Sequence, residues 1–360
     1  MMCVISAVCY FCKKELVVKR CLYVVCAILL MFGCEEKGKQ FNVTSSQNKI
    51  LYAGDTVQFE FSSKKGYVPD SVVLRFDLKS TYQTCYETTT CTFVTEGLSM
   101  GDRNIIFEIY RKGKKEVHNR SIRILSDIVP ANLSYEVIAS FSHDKKSYTQ
   151  GLQYEQGKFY ESAGLYGESS LRLVDVKSGA VAKQQKIDDK YFAEGLTVVG
   201  DSLFQLTWRE NTGFIYDKNT FEKIGVFSYE TEGWGLCYDG TNLVMSDGSE
   251  FLYFYNPKDF SLVKKVGVFD NLGAISNLNE LEFVDGFVYA NVYQTDKIVK
   301  INPSNGKVAA QIDFSNLLPE ELSDGVDVLN GIAWNPQNDN FYITGKLWPR
   351  LYQVRLFYKE

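Results

Sequence analysis

Five short segments of this chain share one local pattern: a polar or aromatic residue, then Gly-Leu or a close variant, opening an apolar strand. They are Gln150-Gly151-Leu152, Glu194-Gly195-Leu196, Trp234-Gly235-Leu236, Asn279-Glu280-Leu281 and Asn330-Gly331-Ile332. Their central positions, 151, 195, 235, 280 and 331, are 44, 40, 45 and 51 residues apart. Self-similarity at that period is the mark of a repeat architecture. Each copy is followed by a turn and a second apolar strand, with turns at Gln156-Gly157, Gly200-Asp201, Asp239-Gly240, Asp285-Gly286 and near Asn338-Asp339. Third strands also end alike, in Val174-Asp175, Tyr216-Asp217, Tyr255-Asn256 and Ile301-Asn302. Four strands per unit predict one propeller blade per repeat. The fifth unit has room for only three strands before Glu360, and a lone apolar strand, Tyr135–Phe141, precedes the first unit. Pairing the two would close the ring and hide an edge. A solenoid shares the period but leaves the orphan strand without a place. The predicted fold class is therefore all-β, with a five-bladed β-propeller over residues 133–360.

Upstream, the pattern changes. Lys13, Lys14, Lys19 and Arg20 precede an apolar run, Cys21 to Phe32, which ends at Gly33-Cys34 and acidic Glu35-Glu36. The run is too short to span a bilayer and suits the h-region of a signal peptide. Residues 1–34 read as a lipoprotein-type signal with Cys34 as the lipidation site. An ordinary secretory signal or an uncleaved anchor shares most of these features. All three place the remainder outside the cytoplasm, on the periplasmic or exterior side of the cell envelope. Residues 35–48 read as a polar tether. Residues 49–128 alternate with period two in Thr56–Phe61, Ser71–Phe76, Ile105–Tyr110 and Ser121–Leu125, which predicts a small antiparallel, immunoglobulin-like β-sandwich. Cys85 and Cys91 flank a short polar loop and are expected to staple a hairpin as a disulfide, since no further Cys or His lies near enough to suggest a metal site.

Composition narrows the function. A formal net charge of −5 without any long basic run argues against a nucleic-acid partner. Only two histidines are present, His118 and His143, and neither falls in the central part of a repeat. A zinc hydrolase or a Ser-His-Asp enzyme needs an imidazole at its centre. Catalysis here would fall to carboxylates, Lys, Tyr or amides.

In a propeller the first strands line the central channel, so Gln150, Glu194, Trp234, Asn279 and Asn330 should converge at one mouth. The ends of the second strands should join that rim, bringing Trp208, Asp247, Tyr293 and Lys346. Channel-mouth residues are often only structural. Five non-identical residues at one repeat position nevertheless suggest a pocket for a small polar ligand, because a structural position would tend to repeat itself.

The runs Tyr148-Thr-Gln-Gly-Leu152, Phe192-Ala-Glu-Gly-Leu-Thr197 and Glu232-Gly-Trp-Gly-Leu236 resemble those of the plant and bacterial glutaminyl cyclases. So do Leu278-Asn-Glu-Leu-Glu-Phe283, Ala290-Asn-Val-Tyr-Gln-Thr-Asp296, Leu329-Asn-Gly-Ile-Ala-Trp334 and Thr344-Gly-Lys-Leu-Trp-Pro349. The resemblance spans about residues 135–356. It implies a five-bladed propeller that converts N-terminal glutaminyl residues to pyroglutamyl residues with release of ammonia. It also implies catalysis without a metal or other cofactor, leaving open a structural divalent cation in the channel. Carried over by residue, it implies Glu194 as the catalytic carboxylate, with Asn279 and Lys346 near the reacting amide. Gln150, Phe192, Trp208 and Trp234 become pocket residues; Asn330, from its place in the repeat, is a further expected substrate-binding position. Tyr148 stands where Phe is familiar and Tyr293 where Trp is; both keep a ring, so substrate preference rather than activity is put in question. The implied partner is a peptide or protein with N-terminal Gln, acted on by a monomer held at the membrane by its lipid alone.

Two rivals remain at this level. One is a non-catalytic propeller, a binding module on a lipid-anchored stalk. The other is a propeller hydrolase with a channel metal, which would draw on Glu194, Asp247, Glu280 and Asp296.

Overall fold

In the computed structural model, residues 38–45, 49–77 and 81–359 are described. The signal segment and Cys34 therefore lie outside the described residues. The regular secondary structure of the described residues is strand apart from one 3-10 turn, Glu320–Leu322. No helix among the described residues is long and apolar enough to cross a membrane. The chain forms two compact units, one built on N-terminal strands and the other containing the repeats.

Eight strands precede the repeats: β1 (Phe41–Ser45), β2 (Ile50–Tyr52), β3 (Thr56–Ser63), β4 (Ser71–Phe76), β5 (Thr81–Tyr86), β6 (Thr90–Val94), β7 (Gly101–Arg111) and β8 (Lys114–Leu125). They form a three-stranded sheet, β1-β3-β6, and a five-stranded sheet, β2-β8-β7-β4-β5. Period-two burial, as in β3, puts Val57, Phe59 and Phe61 on one face. The rings of Phe59 and Phe107 meet at 4.7 Å between centroids, joining a strand of one sheet to a strand of the other.

Three expectations for this region change. The stretch read as a tether contributes β1, whose Phe41 and Val43 are buried and whose backbone pairs with β3. The sheet is not purely antiparallel, since β2 runs parallel to β8. Cys85 and Cys91 are disulfide-bonded, with Cα atoms 6.0 Å apart, but β5 and β6 belong to different sheets. The bridge ties sheet to sheet instead of closing a hairpin; cysteine spacing reports loop length, not which sheet each strand joins.

The repeats give five antiparallel meanders. The first is β10 (Thr149–Glu155), β11 (Lys158–Ala163), β12 (Ser170–Asp175) and β13 (Val181–Lys186). The second is β14 (Ala193–Val199), β15 (Ser202–Thr207), β16 (Thr212–Asp217) and β17 (Lys223–Ser228). The third is β18 (Leu236–Tyr238), β19 (Leu243–Ser246), β20 (Phe251–Tyr255) and β21 (Leu262–Gly267). The fourth is β22 (Leu278–Val284), β23 (Phe287–Val292), β24 (Lys297–Ile301) and β25 (Val308–Asp313). The fifth has β26 (Leu329–Asn335), β27 (Asn340–Gly345) and β28 (Arg350–Tyr358). Its outer strand is the orphan, now seen as β9 (Ala131–Ser142), antiparallel to β28 with Phe141 opposite Leu351. The far end of β9 also pairs in parallel with β25 of the fourth meander, Ala131 opposite Ala310.

The repeat core is divided into apolar clusters, each shared by two neighbouring meanders. Leu171 and Leu203 represent the cluster of the first pair, Leu206 and Met245 the second, Phe254 and Val288 the third, Ile298 and Ile343 the fourth. A fifth joins Leu152 and Phe159 to Tyr342 and Leu351, from the last meander back to the first. The innermost strands come close for a specific reason. A Cβ on Gly195 would lie 2.5 Å from the Leu236 nitrogen, and one on Gly235 would overlap the Asn279 carbonyl. Glycine at the repeat position thus lets one meander's backbone touch the next. In the fourth meander Glu280 takes that place, and its carboxyl accepts the backbone N–H groups of Leu152 at 3.2 Å and Ile332 at 2.8 Å. It bonds β22 to β10 and β26 where glycine would only pack.

Candidate active site

The repeat position is also where the ladders break. The β10–β11 register shifts between Thr149 and Gly151, and β14–β15 between Ala193 and Leu196. The same happens between Leu278 and Leu281 and between Leu329 and Ile332. Such bulges re-aim side chains that regular pairing would hold on the sheet face. In this way Gln150, Glu194 and Asn279 leave their ladders together. In the third meander the ladder begins only at Leu236, and the Trp234 carbonyl accepts the Gly195 N–H at 2.7 Å. Trp208, Tyr293 and Lys346 each follow directly on the second strand of their meander.

These residues enclose a cavity of about 170 Å³. Glu194, Gln150, Asn279 and Lys346 form its polar part, and Tyr148, Phe192, Trp208, Trp234 and Tyr293 supply the rings. The rings meet edge to face. Phe192 and Trp208 are 5.6 Å apart between centroids, Trp234 and Tyr293 5.5 Å, and Tyr148 and Phe192 6.1 Å. Contacts of this kind fix the ring orientations beyond what burial alone would do.

The Glu194 carboxyl is buried and accepts a hydrogen bond from Gln150 Nε2 at 2.8 Å. Burial pushes its pKa well above the usual carboxylate value; the Lys346 charge opposes this, while Glu232 and Glu210 add to it. Lys346 Nζ lies between two rings, 4.8 Å from the centroid of Tyr148 and 4.7 Å from that of Tyr293. Its pKa is lowered by burial, against the pull of Glu194 and Asp327. Asn279 Oδ1 is buried and has no hydrogen-bond partner. Asn279 also lines the cavity, and a buried acceptor without a partner beside a cavity is a candidate for a ligand N–H. The site can therefore take up and return a proton at Glu194, present positive charge at Lys346 and accept a donor at Asn279.

The structure brings together every expected pocket residue except two, Asn330 and Asp247. Asn330 lies beneath the cavity, donating from Nδ2 to the Thr149 carbonyl at 3.0 Å and to Gln150 Oε1 at 3.1 Å. It orients Gln150 and does not line the pocket. Asp247, expected on the rim, instead accepts bonds from the backbone N–H and hydroxyl of Ser249. The four carboxylates of the metal-hydrolase alternative are not gathered. Glu280 is spent on backbone groups, Asp247 on Ser249, and Asp296 is exposed. Among the described residues no group of three or more His, Cys, Asp or Glu is placed to hold a metal ion.

The family model for glutamine cyclotransferase matches residues 112–356. The chain belongs to the glutamine cyclotransferase family. A glutaminyl-peptide cyclotransferase of Arabidopsis thaliana is 44% identical over 226 residues, covering 61% of this chain and 71% of that relative. The crystal structure of Myxococcus xanthus glutaminyl cyclase is similar at a TM-score of 0.61 and 34% identity, over 64% of this chain and 100% of that one.

Two carboxylates around the pocket were not among the expected site residues. Glu232 Oε2 accepts both pocket indoles, Trp208 Nε1 at 2.8 Å and Trp234 Nε1 at 3.0 Å. Its other oxygen accepts Arg209 Nε at 3.1 Å, and the Arg209 guanidinium lies 3.7 Å over the Trp208 ring. Asp327 accepts the Tyr148 hydroxyl at 3.0 Å. Glu232 stands two residues before Trp234, a spacing that could have raised it as a partner. Asp327 carries no signal of its own, because the loop that delivers it has no repeat.

Proposed function

We propose that this protein is a glutaminyl-peptide cyclotransferase that closes an N-terminal glutaminyl residue to pyroglutamate and releases ammonia, with Glu194 as the proton carrier. One observation carries the reading. A buried carboxyl of raised pKa shares a ring-walled cavity with an ammonium and with an asparagine whose amide oxygen has no partner. At about 170 Å³ the cavity is smaller than drug-sized pockets of roughly 300 Å³ or more, so it suits one side chain rather than a whole ligand.

The reaction asks for little else. The neutral α-amine of the substrate attacks Cδ of its own carboxamide, and a five-membered ring needs no help with proximity. Glu194 accepts the proton that the attacking nitrogen loses as the N–Cδ bond forms. It returns that proton to the amide nitrogen as the old C–N bond breaks, and ammonia leaves. The Lys346 ammonium faces the oxygen that becomes negative in between. Asn279 Oδ1 accepts an N–H of the substrate. Gln150 holds Glu194 from the side, and Glu232 holds the two indoles.

Metal and other cofactors have no step in this scheme, so we propose that none is required. The purified protein is expected to release ammonia from Gln-initiated dipeptides with equal turnover before and after treatment with EDTA. A product-free assay would overturn the cyclase in favour of a binding module; loss of turnover in the chelator would overturn metal independence.

We also read the five meanders as five blades of one propeller, supported by the cluster joining the last to the first, and the N-terminal sheets as an immunoglobulin-like domain. The basic, apolar and Gly-Cys order of residues 13–34 supports export as a cell-envelope lipoprotein, working as a monomer on peptide or protein N-termini. Fatty-acid labelling that survives Cys34→Ala would refute the anchor.

A further inference from the structure

His143 is one of two histidines in the chain, and the sequence gives it no role. Its side chain is 4% exposed and it lies outside the pocket lining. Its Nδ1 is 2.8 Å from the Trp348 carbonyl oxygen, and its Nε2 is 2.9 Å from Glu161 Oε1. Both partners are acceptors only. The two hydroxyls at 3.5 Å, Thr149 Oγ1 and Thr344 Oγ1, give their protons elsewhere, to Glu161 at 2.7 Å and to the Arg350 carbonyl at 3.0 Å. A neutral imidazole has one N–H and would leave one of these contacts without a proton. Only the imidazolium satisfies both.

We infer that His143 is a positioning residue, charged at neutral pH, whose two N–H groups clamp the segment carrying Lys346 to the segment carrying Tyr148 and Gln150. The inference rests on the cyclase reading for its kinetic consequence and on hydrogen-bond geometry for the charge. Trp348 stands two residues after Lys346, in the turn between β27 and β28. The turn is strained: Leu347 has φ 61, in the left-handed region. It is held by the Leu347 N–H on the Ser147 carbonyl at 2.7 Å, and by the His143 N–H on the Pro349 carbonyl at 3.0 Å. On the other side, Glu161 Oε1 also accepts Ser147 Oγ at 2.6 Å and Thr149 Oγ1 at 2.7 Å. Those two residues flank Tyr148, and Thr149 precedes Gln150. The ring thus joins the two chain segments that meet at the Lys346–Tyr148 contact.

The charged groups facing His143 are Glu161 on β11, Arg172 on β12 and Asp144 on its own segment. Arg172 Nη1 bonds Asp144 at 3.0 Å and is 4.0 Å from Glu161 Oε2. Burial works to lower the His143 pKa, but Glu161, the Trp348 carbonyl and Asp144 outweigh it, and the net direction is upward. Burial likewise works to raise Glu161, but His143, Arg172 and Ser147 hold it down at about 2. Raising pH through the His143 pKa removes one N–H, frees one of the two segments and should lower kcat without removing any group from the pocket.

The test uses the whole protein with ¹⁵N-labelled histidine, assigned with a His118→Gln variant, and long-range ¹H–¹⁵N spectra across a pH series. The expected result is a doubly protonated His143 at pH 7.5, with its titration coinciding with an alkaline fall in kcat on a Gln-initiated dipeptide. His143→Gln, checked for folding by thermal melting, should lower kcat about tenfold with little change in KM, and should lose that alkaline limb. A neutral His143 at pH 7.5 overturns the inference, whether or not the variant folds. So does a folded His143→Gln protein with wild-type kcat and pH profile. If wild-type protein releases no ammonia, the cyclase reading fails, while the spectra still decide the charge.

Discussion

Glu194→Gln is expected to lower kcat for cyclisation of a Gln-initiated dipeptide by about 10²–10⁴-fold, the range for a lost general acid–base. The substitution is close to isosteric. A glutamine oxygen can still accept from Gln150 Nε2, which now holds Glu194 at 2.8 Å, so the cavity should keep its shape and KM should move little. Ammonia release under steady-state conditions measures the effect, and a variant with near wild-type kcat would sink the proton-carrier role. Two pH effects accompany it. In the wild type, kcat should fall on acidification at a pH above the ordinary carboxylate range, because burial raises the Glu194 pKa and the base must be ionised. The stability effect has the opposite slope. Between the usual 4.5 and the raised native value, the folded state holds a proton that the unfolded chain has lost, so stability declines as pH rises through that window. The glutamine variant has no such decline, and its melting temperature relative to wild type should increase as pH rises from 4.5 through the raised native value.

Lys346→Met should lower kcat by about 10²–10³-fold, the usual cost of one donor to a developing oxyanion. Methionine retains much of the stem that passes between Tyr148 and Tyr293, so the loss should be of charge more than of packing. A second readout separates it from Glu194→Gln. The Lys346 charge is what opposes the rise in the Glu194 pKa; without it, the acidic limb of kcat should move to higher pH. An unchanged acidic limb together with a large drop in kcat would mean that Lys346 does not sense Glu194, and the shared role of the two groups in one reaction would be wrong.

How far each of these residues was legible in the sequence follows from where its neighbours come from. Gln150, Glu194, Trp234 and Asn279 occupy one position of a repeat, so their convergence is legible in the sequence. Trp208, Tyr293 and Lys346 were legible for the same reason, one strand later. Asp247 holds the equivalent place in the third meander, yet it turns back to Ser249, because a hydroxyl two residues on offers a closer partner than the pocket does. Asn330 converges too, but one layer down, where Thr149 and Gln150 use its amide. The repeat predicts position along the channel and not depth. Glu232, Asp327 and His143 each act on a pocket segment from a loop or strand end that the repeat does not describe, and none could be placed by period alone.

The N-terminal strands show the same limit. Alternation revealed β3, β4 and the apolar parts of β7 and β8, because one face of each is buried. It passed over β1 and β2, which are only 5 and 3 residues long, and it read the Cys85–Cys91 spacing as a hairpin although the bond spans two sheets.

By itself, the sequence determined the all-β class, the five repeats, the place of the strand around Tyr135–Phe141 beside the last of them, and most of the side chains that line the cavity. Each of these is written in local patterns, since a strand's buried face and a repeat's period are properties of neighbouring residues. Only the tertiary structure decided which charged groups surround the buried Glu194, that the Asn279 amide oxygen is left without a partner, and which histidine must carry a second proton. Those depend on atoms brought together from segments as far apart as His143 and Trp348, and a protonation state is set by what surrounds a group in space.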